Sequence, residues 1–300
     1  MIGDALKIQK HIRQLIYDHA PYWPRFDRLV HTLRFMQTTG AAPSTKKSVR
    51  DKIFRKLTNG TLGDPIISAT TDRSFAKLAI SGMIGRDVGL PTDAILRSEA
   101  EVAEFDFQAH HWVRTTHAHV LPIQIAAHKT VPKDQIESWL TLNYYRLFRE
   151  ANYKHLKPGI LVEPFVRNAQ IPLEVRALCF DGQVSLLHTF DGREGLPYAP
   201  RRYYTPDWQV LDFSVWDPAD EKDYDKPANI QAFLDDCAKV AQHFEIIGLE
   251  ALFYPDGSYY FIGLSHCPDG GLHKVHPASK QQEYNDRFLR LPPYGDTPLD

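Results

Sequence analysis

The stretch from Glu245 to Gly271, EIIGLEALFYPDGSYYFIGLSHCPDGG, decides how the fold of this chain is interpreted. Two apolar, aromatic-rich runs, Ile246–Phe253 and Ser258–Leu264, stand on either side of Pro255-Asp256-Gly257. Asp-Gly between such runs predicts a β-hairpin, because glycine accepts the positive φ that tight hairpin turns need. The sequence therefore predicts two antiparallel strands joined by a short turn.

One carboxylate, Glu250, lies inside the first of these predicted strands, and a polar, glycine-rich turn at Ser265–Gly271 follows the second. A strand carboxylate beside such a strand exit is a common way to build a metal or phosphate site, since loops at strand ends carry much of the binding in proteins. An ordinary hairpin with Glu250 on its wet face explains the same residues. Both interpretations stay open from these residues alone.

Composition limits the class of protein. Three hundred residues, 43% of them apolar, are enough for one large or two small domains. The formal net charge of −2 provides no basic field for nucleic acid, and no apolar run approaches the roughly 18 residues of a membrane span. Three widely spaced cysteines and the lack of an apolar signal core suit reduced thiols. We therefore expect a globular cytoplasmic protein without a nucleic-acid partner or a membrane span.

Apolar periodicity predicts a mixture of helices and hairpins. Helical spacing is found at Asp4–Tyr17, Arg25–Gln37, Asp51–Leu57, Asp72–Gly82 and Asp134–Asn152, and in a helix that starts at Pro227. Strands are predicted at Thr92–Leu96 and Ile160–Val166, and a second hairpin at Glu174–Phe180 and Gln183–Phe190. This order predicts an α+β protein, in which antiparallel sheets carry helices on one side.

The pattern divides the chain into three parts. Residues 1–65 form a predicted N-terminal helical cap, residues 66–158 a first lobe, and residues 159–300 a second lobe with both hairpins. The segment 191–225 is aromatic, proline-rich and without periodicity, and such a long loop is usually functional or wraps the core. We expect a ligand between the two lobes, because small-molecule sites lie preferentially at such interfaces.

Four histidines, His110, His111, His117 and His119, stand close together in the sequence. On a strand, His117 and His119 would point to the same side, which is compatible with metal ligation. Because no acidic or thiol partner stands nearby, a strand and turn whose polar side chains face a cleft is the favoured interpretation.

Several short motifs stand in a characteristic order between residues 25 and 275. They are DKIFRKL at 51–57, TDR at 71–73, WVRTTH at 112–117, YKHLKPGILVEPF at 153–165, EVRALCFDG at 174–182, Asp207-Trp208, Lys226-Pro227 and the hairpin quoted above. In order and spacing, this series resembles the ATP-grasp superfamily and, within it, the teichuronopeptide-synthesis (TupA-like) branch.

The resemblance implies an ATP-grasp fold, in which two α+β lobes clamp a nucleotide cleft, with an N-terminal helical segment. It implies an ATP-dependent carboxylate–amine ligase that activates a carboxylate as an acyl phosphate, with ATP and Mg²⁺ as cofactors. The TupA-like association implies a sugar acid (uronate) of a cell-surface polysaccharide or its precursor as substrate, together with an amine donor. Such chemistry needs fixed positive charge and a shielded site.

The same resemblance places four residues at the nucleotide. Arg114 takes the position of a family lysine that meets the ATP phosphates, and His117 ends the same motif. Glu163 and the backbone around Phe165 fall at the adenine-side hinge. Arginine keeps the positive charge of lysine but presents a planar fork instead of a compact ammonium.

Six further residues are expected to act on the substrate or the metal. Arg176 stands in for a second family lysine, and Arg193 of the long segment, with Arg201 and Arg202, is expected to hold the uronate. Glu250 is the implied metal ligand, and Asp269 is a second candidate that would reach in from the following turn.

Two departures from the family pattern keep other functions open. Gly263 stands where the family carries a metal-binding glutamate, and glycine has no side-chain ligand to offer Mg²⁺. Ala118-His119-Val120-Leu121 stands where the family carries the small and glycine residues that approach phosphate. The alternatives are a catalytically degenerate ATP-grasp protein that binds a nucleotide or a glycan, and a sugar phosphotransferase.

Overall fold

Two antiparallel sheets organise the chain, as seen in a computed structural model that describes residues 21–44, 48–120, 122–164, 172–191, 201–215, 222–268 and 274–291. The first sheet has the order β1-β4-β2-β3, with β1 Ala94–Leu96, β2 His111–Thr115, β3 Ile123–Ile125 and β4 Ile160–Pro164. The second has the order β7-β6-β5-β8-β9, with β5 Leu173–Phe180, β6 Gln183–Asp191, β7 Arg202–Tyr204, β8 Ile246–Phe253 and β9 Tyr259–Ser265. The predicted α+β class is confirmed.

Helices surround the two sheets. They are α1 Pro24–Thr39, α2 Val49–Thr58, α3 Pro65–Thr71, α4 Arg73–Ile84, α5 Glu99–Glu104, α6 Lys133–Thr141, α7 Tyr144–Phe148, α8 Ile230–Ala241 and α9 Gln281–Phe288. Short polar side chains begin several of them by accepting a free backbone N–H, as Asp72 does for Ser74. Of the helices described, none has the length and apolar character to cross a membrane.

The single helix predicted over residues 134–152 is wrong. The backbone becomes extended at Leu142, where α6 ends, and Asn143 starts α7 by accepting a hydrogen bond from the Arg146 N–H. Asparagine favours such a cap because its side chain competes for backbone N–H groups. The apolar spacing continued across this break, which is why periodicity alone did not show it.

Both predicted hairpins are confirmed. Asp181 and Gly182 turn between β5 and β6 with φ of 46° and 77°, and Gly257 turns between β8 and β9 with φ of 83°. Pairing then continues across the sheet, so that Arg176 of β5 lies opposite Glu250 of β8, which lies opposite Gly263 of β9. This register aligns three positions on one face of the sheet.

The two faces of the second sheet differ in character. On one face, Val175 and Ala177 pack against Phe233 and Cys237 of α8. Full burial of a side chain such as Phe233 stabilises the fold by about 1.5–3 kcal/mol. On the other face, Leu178 belongs to a second apolar cluster, but Arg176, two residues earlier, is charged. That face therefore changes from apolar to polar along β5.

Elements on both sides of the predicted boundary at residue 158 pack with the opposite sheet. Strand β4 begins at Ile160, yet it pairs with β1 and β2 of the first sheet. Helix α4 precedes the boundary, yet its Ile80 and Ile84 belong to the core beneath the second sheet. The division into residues 1–65, 66–158 and 159–300 stays a prediction.

Candidate functional site

A buried ion pair of the first sheet lies where β2 and β4 approach β9 of the second sheet. The Arg114 Nη2 of β2 lies 2.7 Å from Oε2 of Glu163 in β4 and donates a hydrogen bond of 3.0 Å to the carbonyl oxygen of Ile262 in β9. Arg114 is 4% exposed and Glu163 is 1% exposed. Because buried charges are costly unless they are paired and hydrogen-bonded, this contact ties the two sheets together.

Lys77 of helix α4 approaches the same carboxylate. Its Nζ lies 2.6 Å from Glu163 Oε1 and donates to the Leu90 carbonyl oxygen at 2.7 Å and the Thr92 hydroxyl at 2.5 Å. Three acceptors match the three protons of an ammonium group. Burial lowers the pKa of Lys77, and the charge of Glu163 opposes that shift. We call Lys77, Arg114 and Glu163 the Glu163 cluster.

A second cluster lies on the polar face of the five-stranded sheet. The Arg176 Nη2 lies 2.7 Å from Glu250 Oε1 and 3.9 Å from Glu174 Oε1. The side chains of Arg176 and Glu250 are buried, and that of Glu174 is 15% exposed. We call Glu174, Arg176 and Glu250 the Glu250 cluster. Its central pair follows from the register, since residues opposite one another on neighbouring strands share a face.

The two carboxylates of this cluster differ in charge at neutral pH. Burial favours a raised pKa for Glu250, but the charges of nearby arginines, chiefly Arg176 with Arg73 and Arg114, outweigh it and lower the pKa to about 2. Burial, followed by the charge of Glu250, raises the pKa of Glu174 to about 7. Glu250 is therefore ionised near pH 7, while Glu174 is partly protonated.

Arg73 and His119 lie at the solvent-accessible edge of the Glu250 cluster. The Arg73 Nη2 donates to His119 Nδ1 at 2.8 Å, and Arg73 is half-buried whereas His119 is exposed. Because arginine has no acceptor, Nδ1 is the acceptor and Nε2 carries the ring proton. Burial by the surrounding protein, followed by the charge of Arg73, lowers the pKa of His119. The edge therefore presents hydrogen-bond donors.

His117, predicted beside the ATP phosphates, has both ring nitrogens engaged by backbone. Its Nε2 lies 3.1 Å from the Leu142 carbonyl oxygen, and its Nδ1 accepts a 3.3 Å hydrogen bond from the Gly159 N–H. His117 joins the loop after β2 to two other segments, whereas His119 lies at the Glu250 cluster. A third histidine, His111, contacts Asp93 at 3.0 Å.

The structure brings together two pairs of predicted site residues, Arg114 with Glu163 and Arg176 with Glu250. Arg201, expected at the substrate, lies near enough to His119 and Glu174 to lower both pKa values. Arg202 forms an ion pair of 2.7 Å with Asp223. Three predicted site residues lie outside the described residues: Phe165, Arg193 and Asp269.

The sequence did not single out Lys77 or Glu174. Lys77 stands one helical turn after Arg73 and next to the buried Ala76. A lysine within an apolar stripe of a helix could have indicated a buried, paired charge. Glu174 stands two residues before Arg176 on the same strand face, and strand alternation was the signal that would have joined them.

ATP and Mg²⁺ place different demands on the residues of this site. The guanidinium groups of Arg73, Arg114 and Arg176 suit phosphate oxygens. The buried Nε of Arg114 has no hydrogen-bond partner among the described residues. No group of three or more His, Cys, Asp or Glu side chains within the described ranges is placed to hold a metal ion. Mg²⁺ is usually held by one or two carboxylates together with phosphate oxygens and water, and here Glu250 faces Arg176, so these residues fit a nucleotide's phosphates better than a protein-held Mg²⁺.

No family model matches the chain, and no curated protein sequence matches it. Three similar solved structures are the ATP-grasp ligase PsnB complexed with minimal precursor (TM-score 0.38, 14% identity), L-amino acid ligase from Bacillus licheniformis (0.46, 11%), and D-alanine–D-alanine ligase from Bacillus anthracis complexed with ATP (0.36, 12%). They cover 68%, 87% and 74% of this chain, which spans 54%, 59% and 67% of theirs.

Proposed function

We propose that this chain belongs with the ATP-grasp ligases and joins a carboxylate to an amine, with ATP bound between the two sheets. One observation carries the proposal: positive side chains from α4, β2 and β5 lie together near the contact between the sheets, where Arg73, Arg114 and Arg176 all lower the pKa of Glu250. Four of them, Lys77, Arg73, Arg114 and Arg176, face three carboxylates, of which Glu174 is partly protonated. The excess positive charge suits a polyphosphate.

Each of these side chains then has a distinct part in binding. Arg73 and Arg176 bind and orient phosphate oxygens from the second sheet, and Arg114 does so from the first. Glu163 and Glu250 fix the two buried arginines in position. When bound, ATP supplies the phosphoryl group that turns a carboxylate oxygen into a leaving group. Fixed donors in a shielded site stabilise the charge that develops.

The proposed acceptor is a sugar acid, a uronate of a cell-surface polysaccharide or its precursor, as in the TupA-like branch. Arg201 supports it, because its charge acts on the same cluster and a guanidinium can hold a carboxylate through two parallel hydrogen bonds. Arg193 and Asp269 remain predicted partners for the uronate and for Mg²⁺. An amine donor is the second substrate, and we propose that the reaction takes place in the cytoplasm.

The proposal is tested by measuring ADP release with ATP, Mg²⁺, uronic acids and a panel of amines. We expect release that depends on the carboxylate and yields an amide, and that falls at least ~100-fold in Glu250→Ala, since a buried arginine loses its partner. Arg55→Gln is the matched control, because Arg55 is 61% exposed and its ion pair with Glu245 is long, at 3.8 Å. Full turnover in a folded Glu250→Ala protein would remove Glu250 from the site, and a phosphosugar product would indicate a phosphotransferase.

A second candidate is a nucleotide- or glycan-binding protein without catalysis. It is favoured by one observation: Gly263 stands opposite Glu250 and adds no ligand, while Glu250 is paired with Arg176. ATP binding without ADP release, across the same panel of carboxylates and amines, would support this candidate over the ligase.

A further inference from the structure

The position in front of Glu250 is taken by a side chain of the protein itself. The Arg176 guanidinium lies 2.7 Å from the Glu250 carboxylate, and both side chains are almost completely buried. Without this arginine, the Glu250 carboxylate would offer the same position to a divalent cation. A buried carboxylate that has an arginine as its partner has its charge balanced without an added ion.

The neighbouring strand leaves room beside this pair. Gly263 lies opposite Glu250, and a Cβ built on Gly263 would meet only Glu250 Oε2, at 3.8 Å. This is an ordinary contact distance, and the φ of Gly263 is not positive, so an added Cβ is sterically allowed. Glycine therefore offers no second ligand at a position where the backbone and the neighbouring atoms accept a Cβ.

We propose that Arg176 is a built-in cation that replaces a divalent metal beside Glu250. The site would then bind the phosphates of its nucleotide without a metal ion held by the protein at this position. The identity of the ligand as a nucleotide rests on the proposed function, whereas the exclusion of the metal rests on Arg176 and Gly263 alone.

The first experiment follows metal binding without nucleotide. Mn²⁺ is added to the wild-type protein, to Glu250→Gln and to the double variant Arg176→Gln/Gly263→Glu, and bound ion is measured by electron paramagnetic resonance. We expect Glu250→Gln to bind no less Mn²⁺ than wild type, and only the double variant to gain a site, because it offers two adjacent carboxylates and no competing arginine. Thermal unfolding establishes that each variant is folded.

The second experiment follows the nucleotide by calorimetric titration of a non-hydrolysable ATP analogue, in EDTA and in Mg²⁺. We expect dissociation constants within about threefold of each other, and binding about 10–100-fold weaker in Arg176→Gln, as expected when a hydrogen bond to a charged group is lost. Arg55→Gln is again the control and should bind as wild type does.

Three results would overturn the inference: Mn²⁺ bound by wild type and lost in Glu250→Gln, a folded double variant that gains no Mn²⁺ site, or nucleotide binding at least about tenfold stronger with Mg²⁺. These outcomes are separate from the ligase proposal. Binding in EDTA without any turnover would contradict the ligase and support the built-in cation. Carboxylate-dependent turnover together with a Glu250-dependent Mn²⁺ site would do the reverse.

Discussion

Two buried glutamates in this protein have arginine partners, and their surroundings differ. Glu163 has two cationic partners, Lys77 at 2.6 Å and Arg114 at 2.7 Å, and both cations also donate to backbone carbonyl oxygens. Among the described residues, Glu250 has one ion-pair partner, Arg176, and it lies beside a glycine and near the exposed His119. The Glu163 cluster is buried and held by hydrogen bonds to backbone carbonyl oxygens, whereas the Glu250 cluster has an accessible edge.

This difference separates a structural from a functional use of the same residue types. A carboxylate whose cationic partners are anchored to backbone on two sheets fixes the distance between those sheets. A carboxylate beside an accessible edge can instead hold its arginine where a ligand reaches it. We therefore expect mutations of Glu163 and Lys77 to change mainly stability, and mutations in the Glu250 cluster to change mainly binding.

The largest expected effect is that of Glu163→Gln. It leaves Lys77 and Arg114 buried without a counter-charge, and breaking a buried ion pair in this way costs about 3–5 kcal/mol. Glu250→Gln should cost less, about 1–3 kcal/mol, because Arg176 keeps Glu174 at 3.9 Å. Urea unfolding at pH 7 measures both free energies of unfolding.

Equal losses in Glu163→Gln and Glu250→Gln would show that the two clusters contribute alike to stability and would end the comparison. Arg55→Gln supplies the reference, since an exposed ion pair contributes about 0–1 kcal/mol. A Glu163→Gln protein that is as stable as this reference would mean that the two cations reach solvent.

A smaller effect is expected from the pH dependence of Glu174→Gln. The pKa of Glu174 is about 7 in the folded protein against 4.5 in the unfolded chain. Between these values the folded state holds the proton more strongly, so the stability from this group is present below pH 4.5 and is lost as the pH rises through 7. The stability of Glu174→Gln relative to wild type should therefore rise by about 2–3 kcal/mol from pH 4.5 to 7.

The comparison must be made as a difference because other buried groups titrate in the same window. Burial lowers the pKa of His31 to about 4 and that of His266 to about 3, so both histidines favour the folded state more as the pH rises. They are the same in both proteins and cancel. A difference that stays flat from pH 4.5 to 7 would place Glu174 in solvent.

Features formed by residues close together in the sequence were predictable, whereas contacts between residues far apart in the sequence were not. The hairpin turns at Gly182 and Gly257 follow from local residues, and both were predicted. The resemblance singled out Arg176 and Glu250 separately, but their contact depends on the pairing of β5 with β8, which are joined by about 65 residues of chain. Lys77 was missed because its partners lie on other elements, and helical spacing shows only that it shares a face with apolar neighbours.

The smallest effect, and the finest test of the comparison, is expected from alanine at two glycines. A Cβ on Gly263 meets only Glu250 Oε2 at 3.8 Å, so Gly263→Ala should change stability by less than about 1 kcal/mol, since alanine also restricts the unfolded chain. A Cβ on Gly89 meets Lys77 Cβ at 2.9 Å, and Gly89→Ala should cost about 1–3 kcal/mol, because the stem of Lys77 cannot move without disturbing Glu163. Urea unfolding of both variants measures the packing beside each glutamate. A larger loss of stability in Gly263→Ala than in Gly89→Ala would show that the packing is tighter beside Glu250 than beside Glu163.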